Sequence, residues 1–178
     1  MDNPEISSSL VYENRWLRLR EDRFIDSAGA ERLYAVVERE NTAIAVPRLS
    51  NGKTVLVREY RYPIGMETWG LPMGGVDEGE PPESAAEREL TEETGLAAHR
   101  MSLIGEFYPV PGLSPQRAWV FVADVNASDA SAPSNTRDDD VKGWKAVDID
   151  TAFHMVRRAQ ITDGFTLAAL LLFQLHQS

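Results

Sequence analysis

The chain has 178 residues, 43% of them hydrophobic and 26% charged, a formal net charge of −10 and no cysteine. That size and composition suit one ordinary globular domain with at most a small appendage, and the acidic balance lacks the basic footprint a nucleic-acid partner requires. Without cysteine there is no disulfide, no thiolate nucleophile and no cysteine-ligated zinc or iron–sulfur centre. The opening MDNPEISSSL carries neither the basic region nor the apolar run of a signal peptide. The longest late apolar stretch, Leu167 to Phe173, falls far short of the roughly 20 residues that span a membrane. A soluble, cytoplasmic protein with no membrane partner is expected.

From Leu10 to Glu40 the pattern predicts short antiparallel strands. Leu17 and Leu19 alternate with Arg18 and Arg20, Asp26-Ser27-Ala28-Gly29 supplies a turn, and Leu33 to Glu38 is rich in β-formers. Residues 1–41 are read as a small N-terminal β region and residues 42–178 as the main domain. Thr42 to Val46 and Thr54 to Val57 flank Asn51-Gly52, a hairpin signal because both turn residues tolerate positive φ. A loop bearing Trp69, Leu71, Pro72 and the pair Gly74-Gly75 leads to Pro81-Pro82, after which Glu83 to Thr94 is predicted helical, with Gly95 as its C-terminal cap. Ala85, Ala86 and Leu90 form its inward stripe.

Strands are predicted over Leu103 to Tyr108, Trp119 to Val125 and Val141 to Val147, with a proline-rich loop over 109–115 and a polar loop over 127–140. Asp148 or Asp150 is a candidate cap for a helix reaching about Arg158, and Thr162 or Asp163 for a last helix to Leu175. Strands with one helix inserted midway and helices at the end indicate an α+β fold or a mixed-sheet sandwich.

The predicted central helix concentrates charge. Glu83, Glu87, Glu89, Glu92 and Glu93 fall within eleven residues, and Glu89 and Glu93 share a face one turn apart, with Glu92 on the adjacent edge. Like charges at this spacing repel, by a few tenths of a kcal/mol per exposed pair. A hard divalent cation, Mg2+ or Mn2+, would relieve that repulsion, since such ions prefer carboxylate and phosphate oxygens. A solvated acidic helix is the plain alternative. Arg88 is placed to orient one carboxylate by a bidentate pair. His99, His154 and His176 show no ligand spacing.

Gly74, Glu80, Arg88-Glu89-Leu90, Glu92-Glu93 and Gly95-Leu96 match nine specified positions over 23 residues, and this stretch resembles the Nudix box throughout. The resemblance implies a Nudix hydrolase: an α/β/α sandwich with a mixed β-sheet, cleaving a nucleoside diphosphate linked to another group with Mg2+ or Mn2+. It further implies Glu89 and Glu93 as main metal ligands, Glu92 as a further ligand or helper, the Met73 carbonyl as another ligand, Arg88 as orienting partner and Glu80 in support. Those catalytic and metal-binding positions are expectations carried by the box.

Tyr108-Pro109-Val110-Pro111-Gly112, Arg58 to Pro63, and Ile161 to Thr166 resemble the ADP-ribose and nucleotide-sugar pyrophosphatase branch. This implies a nucleotide-sugar substrate, a homodimer formed through the N-terminal strands, and a substrate pocket with Pro111 and Gly112. Trp16, Trp69 or Tyr62 would stack on a base and Arg61 would meet a phosphate, whereas hairpin core for Trp16 and a structural surface role for Arg61 are the alternatives. Gln116 stands where many relatives carry a glutamate, and Gly70 where they often carry an acidic residue. Asp138, Asp139 and Asp140 stand where this branch often has a general base on a late loop; a merely solvated triplet, Glu92, or no protein base at all are the alternatives. A GDP-mannose-type or other nucleoside diphosphate hydrolase, and a catalytically silent ligand-binding module, are the rival functions.

Overall fold

The computed structural model describes residues 7–131 and 141–177, so Asp138, Asp139 and Asp140 lie outside the described residues. The chain divides into two units. In the first, which runs to Asn41 and takes in Tyr108–Arg117, β1 (Ser7–Glu13), β2 (Arg18–Ile25) and β3 (Glu31–Glu38) form an antiparallel sheet in the order β1-β2-β3. Side chains hold its turns. Asn14 Oδ1 accepts the Trp16 and Leu17 amides at 2.8 and 3.0 Å, and Asp26 Oδ1 accepts those of Ala28 and Ala30, both at 2.9 Å. The proline-rich segment joins this unit through long-range bonds: Val37 N donates to Leu113 O at 2.9 Å, the Tyr34 hydroxyl to Gly112 O at 2.6 Å, and Gln116 Nε2 to Glu40 O at 2.7 Å.

The second unit holds β4 (Thr42–Leu49), β5 (Lys53–Arg61), β6 (Met66–Gly70), β7 (Met73–Gly75), α1 (Pro82–Thr94), β8 (Arg100–Phe107), β9 (Ala118–Val125), β10 (Val141–Asp148), α2 (Ile149–Arg157) and α3 (Gly164–His176). A mixed sheet runs β7-β4-β9-β8, with β4 and β9 parallel from Thr42↔Ala118 to Leu49↔Val125. An antiparallel sheet runs β10-β5-β6.

Strand alternation distributes the core between two faces. Ala43, Ala45, Phe121 and Ala123 pack with Ala85, Ala86 and Leu90 of α1, while Ile44, Val46, Val120 and Val122 pack with Ala152 and Met155 of α2 and Ala169, Leu170 and Phe173 of α3. The result is the expected α/β/α sandwich. Small residues on the α1 side let the helix approach the sheet closely, and Leu90 fills the space between at 0% exposure. Its truncation to alanine would cost about 2–5 kcal/mol.

Local signals in the sequence hold well. Pro82 occupies the first turn of α1, where its missing N–H is no loss, and Gly95 ends the helix in the left-handed region at φ 72°. Asp163 caps α3, its Oδ2 accepting the Thr166 amide at 2.8 Å. Asp148 stands at the N-cap position of α2 without a side-chain capping bond. One expectation is corrected. Asn51-Gly52 does make a tight turn, with Gly52 at φ 82° and its amide 2.8 Å from Leu49 O, but β4 and β5 do not pair with each other as a hairpin. The chain leaves one sheet and enters the other at that turn, because β4 is already bordered by β7 and β9. No helix among the described residues is long and apolar enough to cross a membrane.

Candidate active site

Arg88 is the centre of the glutamate-rich face. Its Nε and one terminal nitrogen grip Glu80 at 3.1 and 3.0 Å, the same terminal nitrogen reaches Gly75 O at 2.9 Å, and the other lies 2.6 Å from Glu89 Oε1 and 3.4 Å from Glu92 Oε2. A planar guanidinium is the side chain suited to such a fork. Glu80 also closes its own loop: its Oε2 accepts the Asp77 amide at 3.1 Å and its N–H donates to Asp77 O at 3.0 Å. Residues 75 to 80 are thereby tied to the second turn of α1. The Arg88 hydrogen bonds, followed by that of the Asp77 amide, hold the Glu80 carboxyl below the ordinary glutamate range. Glu80 and, after the opposing effect of desolvation, Glu89 raise Arg88 beyond its ordinary value, so it is a permanent cation.

Gly74 closes on the helix from the other side. A Cβ at this position would overlap the Glu89 carboxylate, so any larger residue would make either the strand or the Glu89 side chain move. Glu93, one turn on from Glu89, is buried at 2% exposure, whereas the Glu92 side chain is 42% exposed. The spacing put Glu89 and Glu93 on one face, but it did not show that the Glu93 carboxylate would be buried on the face filled by Ala85, Ala86 and Leu90. The three box glutamates share a helix, but no group of three or more acidic or histidine side chains among the described residues stands gathered like a finished cation cage. Arg88 instead engages Glu89 and Glu92. The donor set nonetheless fits a hard divalent cation. It consists of carboxylate oxygens, one beside a glycine backbone, and Met73 begins the short strand that carries this glycine into register with β4, pairing with Ile44.

Of the other residues singled out from sequence, Arg61 ends β5 with its guanidinium 2.5 Å from a Glu59 carboxylate oxygen. Trp69, on β6, is half-buried, with Lys145 Nζ 4.0 Å and the Arg58 guanidinium 5.9 Å from its ring centroid. Burial lowers the Lys145 pKa from its ordinary value. Gly70 is confined, since a Cβ there would stand 3.1 Å from Thr166 Oγ1. Even the first carbon of an acidic side chain at that position would press on the hydroxyl. No local signal foretold the Lys145 and Thr166 contacts, which bridge distant parts of the chain.

Trp16, Pro111, Gly112 and Gln116 belong to the first unit. Trp16 is 60% exposed, with the Arg15 guanidinium 3.9 Å from its ring centroid, so it is not hairpin core. Pro111 lines an apolar recess with Tyr34, Val36, Tyr108 and Leu113. Gln116 is buried, and its bond to Glu40 O gives it a structural task in that unit.

The NUDIX domain profile matches residues 38–166. An ADP-ribose pyrophosphatase of Mycobacterium tuberculosis is 30% identical over 96% of this chain and 82% of its own length, and one of Bacillus subtilis is 30% identical over 76% and 74%. The ADP-sugar pyrophosphatase of Mus musculus is 30% identical over 70% of this chain and 62% of its own. A crystal structure of an ADP compounds hydrolase superposes with a TM-score of 0.79 at 21% identity, covering 98% of this chain and 94% of that one, and so shares the fold. With the box residues assembled around Arg88 and the profile covering most of the chain, the protein belongs to the Nudix hydrolase family.

Proposed function

We propose that this Nudix hydrolase cleaves the pyrophosphate bond of ADP-ribose or a related nucleotide sugar, consuming one water and releasing a nucleoside monophosphate and a sugar phosphate. The observation that carries the reading is the Arg88 clamp, which ties Glu80 and Gly75 to the helix bearing Glu89, Glu92 and Glu93. The similarity to ADP-ribose and ADP-sugar pyrophosphatases over most of the chain supports the substrate class.

Glu89, Glu93, Glu92 and the Met73 carbonyl are the groups that would hold Mg2+ or Mn2+. Such an ion supplies charge neutralisation at the pyrophosphate and activation of the attacking water. Arg88 keeps Glu89 oriented and offsets the mutual repulsion of the box carboxylates, while the Gly74 backbone lies directly against the Glu89 carboxylate. Arg61 and Trp69 in the second unit, and Trp16, Pro111 and Gly112 in the first, are the proposed substrate contacts. Asp138, Asp139 or Asp140 is the proposed general base, with Glu92 the alternative.

A homodimer through the N-terminal strands is part of the same proposal. It is supported by the apolar surface that Leu10, Val11, Tyr12 and Leu33 leave exposed on β1 and β3. A cytoplasmic setting completes it. Incubation with Mg2+ and ADP-ribose, ADP-sugars or GDP-mannose, followed by chromatography for the nucleoside monophosphate, tests the activity. Release of AMP from the adenine substrates is expected, and no cleavage across the panel would sink the reading.

A further inference from the structure

The passage from β6 to β7 is made by only two residues, Leu71 and Pro72, and it carries the chain from one sheet to the other, directly into Met73 and Gly74. Proline has no amide hydrogen, so Leu71 N–H is the sole donor of this crossing. It donates to Thr166 Oγ1 at 3.0 Å, while the Pro72 carbonyl accepts the Ala45 amide at 2.9 Å. Thr166 is fully buried, and its own amide is held by Asp163 at 2.8 Å. The segment before it lines the edge of β6 that no strand pairs among the described residues. Trp69 N donates to Gln160 O at 3.0 Å, and Thr68 Oγ1 stands 3.3 Å from Gln160 O and 3.2 Å from Thr162 Oγ1. Residues 160–166 thus form a clasp along β6 whose last contact is the Thr166 hydroxyl. Gly70 belongs to the same device, because a Cβ there would press on that hydroxyl from 3.1 Å.

We propose that Thr166 is a positioning residue of the active site: its buried hydroxyl, by accepting the Leu71 amide, sets where the Met73–Gly75 backbone stands against Glu89. The inference rests on the reading of Met73 and the box glutamates as the metal seat. A displaced Gly74 would either collide with the Glu89 carboxylate or withdraw from it, since the two are already in contact. Second-sphere groups that orient ligands in this way commonly change metal affinity or activity by about 10- to 100-fold when removed.

The test compares Thr166→Val, Thr166→Ser and Gly70→Ala with the unaltered chain. Mn2+ affinity is measured by calorimetry, and amide exchange over residues 71–75 on the metal-free protein. Thr166→Val should weaken Mn2+ binding about tenfold or more and speed exchange at Leu71, and Thr166→Ser should restore both. Gly70→Ala should move both in the same direction as Thr166→Val with the hydroxyl intact, and it carries the test if Thr166→Val does not fold. A folded Thr166→Val protein with unaltered Mn2+ affinity overturns the role of Thr166, as does Thr166→Ser without rescue. An unaltered chain that binds no Mn2+ overturns the metal seat itself and the role of Thr166 with it.

Discussion

Gly74 and Glu89 stand so close that a methyl group on one would occupy the carboxylate of the other. The contact joins the loop to the helix at the point where a ligand would be held. Gly74→Ala must therefore move either β7 or the Glu89 side chain. Loss of Mn2+ affinity and of kcat, by about 10- to 100-fold each, is the expected outcome of calorimetry and steady-state assay. The melting temperature should change little if Glu89 swings away and leaves the strand in place.

Glu93 combines burial with a place one helical turn from Glu89. Glu93→Gln keeps the shape and removes the charge. Turnover should fall about 100-fold or more, in the range expected when one electrostatic partner of a transition state is lost, while circular dichroism stays that of the unaltered chain. Activity at the original level would contradict the metal assignment.

The Arg88–Glu80 pair makes an acid-side prediction. Glu80 has a folded pKa below its ordinary value, so folding favours its ionised form. Its contribution to stability is complete above about pH 4.5, the ordinary glutamate value, and disappears as pH falls through the lower folded value. Thermal melts between pH 3 and 6 should show Glu80→Gln with a shallower acid decline than the unaltered chain, roughly in step with the loss of one linked proton. An identical decline in both would count against the linkage.

The end of α2 holds an alanine in a glycine's place. Ala159 N–H bonds Val156 O at 3.0 Å and Gln160 N–H bonds Met155 O at 2.9 Å, the paired bonds of a Schellman ending, with Ala159 at φ 53°. A left-handed L-residue costs about 1–2 kcal/mol, and glycine gives back part of that gain as unfolded-state entropy. Ala159→Gly should therefore stabilise the protein by about 0.5–1 kcal/mol in urea unfolding, with kcat/KM unaltered.

What could be read from sequence was what depends on neighbours along the chain. Pro82 and Gly95 bound α1 because φ restriction and φ freedom are properties of single residues. The box resemblance marked Arg88 as the orienting partner of a carboxylate and Glu80 as a supporting residue, and the fold pairs the two because a loop and one helical turn bring them together. Tertiary structure decided matters that no local rule contains. Sheet membership separated β4 from β5 although a good turn joins them, since a strand's partners are chosen by the whole sheet. Long-range bonds attached Leu113 to Val37 of β3 and Gln116 to Glu40 just beyond it, and placed the Thr166 hydroxyl on the amide of Leu71, 95 positions away. The sequence by itself determined the chemistry present in the box, because charge and backbone freedom belong to residue types. Only the fold decided which glutamate was buried and which backbone stood against which carboxylate, because those depend on what packs beside them.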